Sequence, residues 1–296
     1  MDASATTKRR VLVTGATGYI ASLMLPALRE RYDLTLVDVR TEGRSGAVPG
    51  VRTANLLTDD LETLHPFFAG QDAVIHLAFN RPPTEDGTAG GSRPQALVPA
   101  SQYEAERANV DMAYRVLRLS MEEGVRRVVI ASSNHAADWY ERLIHAGQMD
   151  TVTPDTFPKS DNWYGWAKAT YEHVGFVFAT GSQSRAVENV HLRIGAPREI
   201  NATQFADNPK AYKRDLGAYL SARDLTQLVV KSIETGDIRD SYGIPFQIFY
   251  GISNNARAFW SLTNARRVIG YAPEDDSEVK FADGIRALLG DQPGRT

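Results

Sequence analysis

The sequence predicts an α/β fold in which helices cover both faces of a doubly wound parallel sheet. Through the first half of the chain, short apolar runs alternate with longer amphipathic stretches, as is typical of βαβ units. The apolar runs also lack polar alternation, which is expected of strands whose two faces are both buried.

The predicted elements follow one another along the chain. We predict strands at Arg10–Thr14, Leu34–Val39, Asp72–Leu77 and Arg127–Ser132, and helices at Tyr19–Arg31 and Val110–Glu123. After about Leu192 the alternation weakens. We therefore predict a sheet domain over residues 8–191 and a smaller region over 192–296 that folds partly back on the sheet.

The segment from Arg81 to about Pro99 is the least regular part of the chain and is rich in proline and glycine. It follows a predicted strand, at the edge where ligands approach open α/β sheets. A disordered surface insertion and a substrate lid are equally compatible with this composition.

The composition excludes several classes of protein. With 43% apolar and 23% charged residues, the chain is globular rather than disordered. A formal charge of −3 provides no broad basic surface, so we expect no nucleic-acid partner. No apolar run approaches the roughly 18 residues of a membrane span. Because the chain has no cysteine and its N-terminus has no apolar signal region, we expect a cytoplasmic protein.

A glycine-rich turn follows the first predicted strand and opens the first helix, with the spacing Gly15-x-x-Gly18-x-x-Ala21. Glycine lets the backbone turn tightly and approach a pyrophosphate, and the helix N-terminus offers N–H groups to it. We therefore predict that this turn binds a dinucleotide, through Gly15, Thr17, Gly18, Tyr19 and Ile20.

Asp38 ends the second predicted strand, at about the twenty-residue distance at which a carboxylate binds the ribose hydroxyls of a dinucleotide. This carboxylate would repel a 2′-phosphate, which favours NAD over NADP, although the nearby Arg40 acts against that preference. The order of strand, turn, helix, strand and acid predicts a Rossmann-type domain that binds NAD.

Tyr164-x-x-x-Lys168 places a phenol and an ammonium group one turn apart on a helix. A free tyrosine titrates near pH 10, and we expect the ammonium group, helped by a nicotinamide cation, to lower that pKa towards neutrality. Ser132 and Ser133 end the preceding predicted strand, where a hydroxyl could bind a substrate oxygen beside the tyrosine. The histidines show no metal-ligand spacing, so no metal site is predicted.

Together these motifs resemble the extended short-chain dehydrogenase/reductase family, also called the NAD-dependent epimerase/dehydratase family. The matching residues, in family order, are Thr14-Gly15-x-x-Gly18-x-x-Ala21, Asp38, Asn55-Leu56, His76-Leu77-Ala78, Asn109, Ser132-Ser133, Tyr164-x-x-x-Lys168 and Leu192-Arg193. The resemblance implies NAD as cofactor and Ser133, Tyr164 and Lys168 as catalytic residues. It also implies cofactor contacts from Tyr164 and Lys168, and from Asn55, Leu56, Leu77, Ala78 and Ile194.

Within that family the chain is most similar to the uronate dehydrogenases, which oxidise C1 of a hexuronic acid to a lactone. The shared residues are Ser132–His135, Tyr164-Gly165, Arg193-Ile194-Gly195, Ser221-x-x-Asp224, Gly251-x-Ser253, Trp260 and Gly270-Tyr271-x-Pro273. The resemblance implies that Asn134, His135 and Arg214 contact the sugar. Arg214 would pair with its carboxylate, a role that suits a planar guanidinium.

Two positions depart from that subfamily, because Ala196 and Arg81 stand where serines are expected. Arg81 is therefore a further candidate for substrate binding, and the identity of the sugar is left open. Two other functions also remain as alternatives. One is a nucleotide-sugar epimerase or dehydratase of the same family, although a dehydratase usually has an Asp-Glu pair where this chain has Asn134-His135. The other is a non-catalytic NAD(H) sensor, which would need no serine, tyrosine and lysine together. We expect a small sugar or sugar acid as partner and leave open a homo-oligomer.

Overall fold

The computed structural model describes residues 8–81 and 99–290. Its strands are β1 (Arg10–Thr14), β2 (Asp33–Asp38), β3 (Glu42–Gly43), β4 (Gly46–Ala47), β5 (Val51–Thr53), β6 (Ala73–His76), β7 (Arg127–Ser133), β8 (Glu188–Ile194) and β9 (Phe246–Gly251). Strands β3 and β4 form a small antiparallel pair. The others form one sheet of seven parallel strands in the order β5-β2-β1-β6-β7-β8-β9.

Helices cover both faces of this sheet. They are α1 (Tyr19–Arg31), α2 (Leu61–Phe68), α3 (Pro99–Glu122), α4 (Glu141–His145), α5 (Trp163–Ala179), α6 (Pro209–Ala218), α7 (Ala222–Glu234), α8 (Thr263–Ile269), α9 (Ser277–Lys280) and α10 (Ala282–Leu289), with 3₁₀ segments at Asn134–Tyr140 and Ala202–Phe205. Among the residues described, no helix combines the length and the apolar character needed to cross a membrane.

The core lies in two layers because successive strand residues point to opposite faces. On one face, Val11 and Val13 of β1 pack with Leu28 of α1 and with residues of α7. On the other, Leu12 of β1 packs with Val116 of α3 and with residues of α5. This two-sided burial confirms the predicted doubly wound α/β class and explains the apolar strands.

The direction of chain progression reverses between β1 and β6. From β1 the sheet grows through β2 to β5 on one side and through β6 to β9 on the other. Ligands of open α/β sheets bind at the carboxyl ends of the strands at such a switch point. The fold therefore brings the segments that follow β1, β2, β6 and β7 to one edge.

Two boundaries predicted from the sequence do not coincide with the bounds of elements in the structure. Helix α3 begins at Pro99 rather than at the predicted Val110, because its buried face continues through Glu106 and Asn109, whose polarity concealed it. The predicted division between 8–191 and 192–296 falls inside β8, and β9 completes the same sheet. The division itself stays a prediction. The insertion or lid predicted between Arg81 and Pro99 lies outside the described residues, apart from its ends.

Candidate active site

The glycine turn after β1 is held tightly against the segment after β6. Gly15 has a φ of +72°, and a Cβ there would lie 2.5 Å from the backbone nitrogen of Ala78, so both its conformation and its surroundings require glycine. Helix α1 begins at Tyr19, its N-cap residue Gly18 provides no side-chain cap, and its first turn contains no acidic residue. Its first N–H groups are therefore suited to an anion such as a pyrophosphate.

Asp38 lies at the end of β2, beside this turn. Its Oδ2 accepts hydrogen bonds from the backbone nitrogen (2.9 Å) and the hydroxyl (2.8 Å) of Thr17. The Nε of Arg40 donates to the same hydroxyl at 3.3 Å. A recess of about 470 Å³ opens next to these residues, lined by Arg40, Thr41, Glu42, Gly43 and Thr53. A fixed carboxylate beside an open recess fits the ribose end of NAD.

The remaining predicted cofactor residues supply mainly backbone and apolar surface. Asn55 is used internally, since its Oδ1 accepts from Leu57 N at 3.0 Å and its own N–H donates to Asp59 at 2.8 Å. Leu56 is buried. Leu77 N donates to the carbonyl of Thr14 at 3.0 Å, next to Ala78 at the glycine turn. Ile194 is buried and pairs with Ser133 between β7 and β8.

Tyr164 and Lys168 lie in the first two turns of α5, which Asn162 caps by accepting from Gly165 N at 2.9 Å. The Tyr164 ring packs edge-on against Phe79, at 5.6 Å between centroids, and against His135, at 5.7 Å. The Lys168 Nζ lies 5.6 Å from the Tyr164 ring centroid. The predicted pair is therefore brought together, at the same edge as the glycine turn.

The pKa values of this pair follow from burial. Burial raises the pKa of Tyr164 and the charge of Glu106 raises it further, whereas the hydrogen bond with Ser133 and the charge of Arg81 lower it. Burial lowers the pKa of Lys168 to about 8, against the effects of Glu106 and Glu172. In the protein alone, the pKa of Tyr164 is thus raised rather than lowered as the sequence predicted, because burial outweighs the hydrogen bond with Ser133 and the charge of Arg81.

Ser133 ends β7 and is buried against Tyr164. Its Oγ accepts from His135 N at 3.2 Å and donates to Asn134 Oδ1 at 3.4 Å. The buried Nδ2 of Asn134 has no hydrogen-bond partner within the described part of the chain. An unsatisfied buried donor is costly, so this amide is suited to a ligand oxygen beside the serine.

His135 is held against Tyr164 by a carboxylate that the sequence did not identify. Its Nδ1 lies 2.8 Å from Oδ2 of Asp138, which also accepts from Asn162 Nδ2 at 2.9 Å. Burial raises the pKa of Asp138, but its hydrogen bonds, including those with His135 and Asn162, lower it overall. An ionised Asp138 therefore fixes the orientation of the imidazole.

The two predicted substrate arginines lie in different surroundings. Arg214 donates to both carboxylate oxygens of Glu141, at 3.0 and 2.8 Å, and to Asp215 at 3.3 Å. Its side chain is only 16% exposed and lies 5.5 Å from the Trp260 ring centroid. Arg81 is exposed, and its charge lowers the pKa of Tyr164. The guanidinium of Arg214 thus already binds a carboxylate of the protein. Arg81, by contrast, influences Tyr164 by lowering its pKa.

Sequence reasoning missed the acidic residues around the pair. Glu172 lies one turn after Lys168 on α5, so helical spacing alone could have identified it. Glu106 is buried on the part of α3 that the sequence did not predict as helix. Within residues 8–81 and 99–290, no group of three or more His, Asp or Glu side chains is arranged to hold a metal ion.

The fold and the site define a class. A glycine turn with a carboxylate at the ribose position, and a serine–tyrosine–lysine cluster at the same edge, are typical of Rossmann-fold short-chain dehydrogenases/reductases. The chain belongs to the NAD dependent epimerase/dehydratase family, whose model matches residues 11–191. The family predicted from the sequence motifs is therefore confirmed, and so is NAD as its cofactor.

Several relatives of this chain are named as dehydrogenases of sugars or sugar acids. It is 30% identical to the NAD-dependent glucose-6-phosphate dehydrogenase of Haloferax volcanii over 90% of this chain and 94% of that protein. It is 26% identical to the uronate dehydrogenase of Pseudomonas syringae pv. tomato, over 96% and 86%. A solved structure of a mutated uronate dehydrogenase matches with a TM-score of 0.70 and 22% identity, over 97% and 88%. The homologues of this chain are thus NAD-dependent sugar and uronate dehydrogenases.

Proposed function

We propose that this protein oxidises a sugar or sugar acid, of hexuronate type, at C1 to a lactone with NAD as the acceptor. The observation that carries the proposal is the cluster of Ser133, Tyr164 and Lys168 at the edge that also presents the glycine turn. That edge offers the two things such a reaction needs, a dinucleotide site and a proton acceptor.

In this mechanism Tyr164, as phenolate, takes the proton of the C1 hydroxyl. Ser133 hydrogen-bonds the same oxygen and orients it towards the tyrosine. The Lys168 ammonium group stabilises the phenolate electrostatically, while one of its protons is donated to the carbonyl of Ala131 at 2.9 Å. The chemistry that bound NAD would supply here is acceptance of the hydride from C1. Loss of a proton and a hydride from the C1–OH group leaves a carbonyl, so a cyclic sugar becomes a lactone.

NAD would be held by residues from six segments, which lie at the ends of or after β1, β2, β5, β6 and β8 and at the start of α5. The turn after β1 would bind the pyrophosphate and Asp38 the adenosine ribose. The nicotinamide half would lie against the end of β8 and the start of α5. The proposed contact residues are Gly15, Thr17, Gly18, Tyr19, Ile20, Asp38, Asn55, Leu56, Leu77, Ala78, Tyr164, Lys168 and Ile194.

The sugar would lie between Tyr164 and the segment that follows β7. There Asn134 offers an amide donor that has no partner among the described residues, and His135 offers a ring fixed by Asp138. Arg81 and Arg214 are the cations proposed for an anionic group of the sugar. Arg214 would act with its remaining N–H groups, since Glu141 and Asp215 occupy the others.

The test is to mix the purified protein with NAD and follow NADH absorbance across uronic acids, their parent aldoses, sugar 6-phosphates and simple alcohols. Sugar phosphates are included because a relative is named for one. We expect NADH formation with a uronic acid, and a lactone as the first product by NMR. The proposal fails if no free sugar is oxidised and a nucleotide sugar is epimerised or dehydrated instead. The same preparation, run on a calibrated sizing column, tests the homo-oligomer that the sequence left open.

A further inference from the structure

The ammonium group of Lys168 is buried without a carboxylate in contact with it. The residue is 5% exposed, and its Nζ donates one hydrogen bond, to the carbonyl of Ala131 at 2.9 Å. Among the residues that the structure describes, it forms no ion pair and no second hydrogen bond. A buried charge is costly unless other groups compensate it. In the protein alone, the surroundings of Lys168 must therefore stabilise its charge in another way.

Three aromatic rings surround this ammonium group. The Lys168 Nζ lies 4.4 Å from the ring centroid of Tyr171, 5.2 Å from that of Phe79 and 5.6 Å from that of Tyr164. All three distances are within the roughly 6 Å over which the face of an aromatic ring attracts a cation. This attraction is strongest where water is excluded, as it is around Lys168. Tyr171 is the nearest of the three rings.

The rings are held in place by the helix and by the segment after β6. Tyr164 and Tyr171 both lie on α5, one turn before and one turn after the lysine, and residues at these spacings are neighbours on a helix surface. Phe79 follows β6 and packs edge-on against Tyr164, at 5.6 Å between centroids. The next residue, Asn80, has both of its backbone groups bound by Asn109, at 2.7 and 2.9 Å. The ring positions therefore belong to the fold of the protein itself.

Tyr171 faces the lysine with its ring rather than with its hydroxyl. The residue is 1% exposed, and its hydroxyl has no hydrogen-bond partner in the described part of the chain. Burial raises the pKa of Tyr171, and the charges of Glu106 and Tyr164 raise it further, so the phenol stays neutral. A neutral ring attracts a cation through the negative charge of its face. Phenylalanine at this position would supply the same attraction.

Titratable groups also lie on the elements that pack around Lys168. They are Glu106 of α3, Glu172 of α5, His76 of β6, and His191 and Arg193 of β8. Arg193 donates to both carboxylate oxygens of Glu172 at 2.8 Å, so this pair is neutral in itself. Burial lowers the pKa values of both histidines to about 3, so they carry no charge around pH 7. The charge of Glu106 raises the pKa of Lys168, but no contact joins these two side chains among the described residues.

We propose that the rings of Tyr171 and Phe79 keep Lys168 in its ammonium form through cation–π interactions, and that Tyr171 is thereby a positioning residue for the tyrosine–lysine pair. The first part concerns the protein alone, whereas the second rests on the proposed function. The geometry carries the proposal, because no described carboxylate contacts the ammonium group while the face of Tyr171 lies 4.4 Å from it.

The test is an NMR titration of the lysine side chains in protein free of cofactor, with Lys168 assigned by its Lys168→Arg variant. Tyr171→Leu removes the ring and keeps an apolar side chain, and we expect it to lower the pKa of Lys168 by about 1 unit. Tyr171→Phe retains the ring and should keep the wild-type titration. Tyr114→Leu, at an exposed ring of α3, is the matched control. An unchanged titration in Tyr171→Leu would overturn the proposal.

A second series keeps the proposal testable if Tyr171→Leu does not fold. Phenylalanines with an increasing number of fluorine atoms, incorporated at position 171, keep the shape of the ring and progressively weaken the negative charge of its face. The pKa of Lys168 should fall step by step along this series. Phe79→Leu removes the more distant ring and should lower that pKa by a smaller amount. A pKa of Lys168 that does not depend on the fluorine content would show that the ring only fills space.

For the second part, the pH profile of kcat/KM is the measurement, since it reports the titration of the essential groups of the free enzyme. In Tyr171→Leu, the limb that reports loss of the Lys168 proton should move to lower pH, whereas Tyr171→Phe should keep the wild-type profile. A uniform loss of rate with unmoved limbs would show that the role of Tyr171 is only structural. If no sugar is oxidised yet the lysine titration shifts, the proposed function fails and the cation–π interaction stands.

Discussion

The edge around the glycine turn and Tyr164 differs from the region around Arg214 in what its side chains bind. At the edge, predicted residues from β1, β2, β7 and α5 converge and leave donors for a ligand, such as the amide of Asn134. Around Arg214, the predicted anion-binding fork is already held by Glu141 from α4. The first region leaves polar groups available to bind a ligand. In the second region, carboxylates of the protein already neutralise much of the charge of Arg214.

Local motifs therefore predict some functional properties better than others. A turn or a helical pair is built by residues near in sequence, so its spacing predicts its geometry. The availability of an arginine depends on partners that are remote in sequence, and Glu141 is 73 residues away from Arg214. The sequence of this protein therefore predicts the type of reaction better than it predicts the substrate.

The largest expected effect tests the first region. Tyr164→Phe should reduce kcat/KM by about 10²- to 10⁴-fold, because it removes the proton acceptor and keeps the ring, while NADH binding by fluorescence stays near wild type. Tyr242→Phe, at a ring that is 88% exposed, is the matched control. Turnover of Tyr164→Phe within a few-fold of wild type would contradict the assignment.

The next effect tests the second region directly. If Arg214 still binds the anion of the substrate, Arg214→Ala should lower kcat/KM for a uronic acid by about 10- to 100-fold, which corresponds to roughly 1.5–3 kcal/mol for a charged hydrogen bond. The parent aldose should be scarcely affected. Equal losses of kcat/KM on both sugars would mean that Arg214 has only a structural role, in which it joins α6 to Glu141.

Arg81→Ala is the matched variant for that comparison. A selective loss on the uronic acid in Arg81→Ala, but not in Arg214→Ala, would assign the anion to the segment after β6. Glu141→Gln is a further test, because it removes the negative charge that pairs with the guanidinium of Arg214. If Arg214 binds the substrate anion, this variant should bind that anion more tightly.

A smaller effect is expected at the ribose end of the first region. Asp38→Asn keeps an acceptor for Thr17 and removes the charge that repels a 2′-phosphate. We expect the preference for NAD over NADP to narrow about 5-fold, since a unit charge at about 4 Å in water is worth about 1 kcal/mol. Arg40→Ala should shift the preference the opposite way in steady-state kinetics. A wild type that prefers NADP would show that this strand end was misread.

The smallest effect concerns the stability of the sheet under the first region. Burial lowers the pKa of His76 to about 3, whereas an unfolded histidine has a pKa of about 6.5. The contribution of the neutral ring to folding stability is therefore fully present above a pH of about 6.5 and is lost as the pH falls towards 3. Between pH 6.5 and 5.5, the free energy of unfolding measured in urea should fall by about 1 kcal/mol more in the wild type than in His76→Gln. Equal losses would show that His76 is not buried as a neutral ring.

How well the sequence predicts an element of this fold depends on whether apolar or polar residues occupy its buried positions. Strand β1 and helix α1 match their predicted bounds because their core positions are apolar. The start of α3 was missed because Glu106 and Asn109 take core positions there. The pKa of Tyr164 could not be predicted either, since it depends on burial by residues distant in sequence.

The clamp of Asn109 on the backbone of Asn80 anchors the chain shortly after β6. The clamp fixes Phe79 beside Tyr164 and Lys168, immediately before the segment 82–98. Because this anchor holds Phe79 in place, substitutions in the segment after Asn80 can be tested for their effect on substrate preference separately from their effect on the catalytic pair. The rate of proton transfer serves as the reference, since it should stay constant as long as Asn109 holds Asn80.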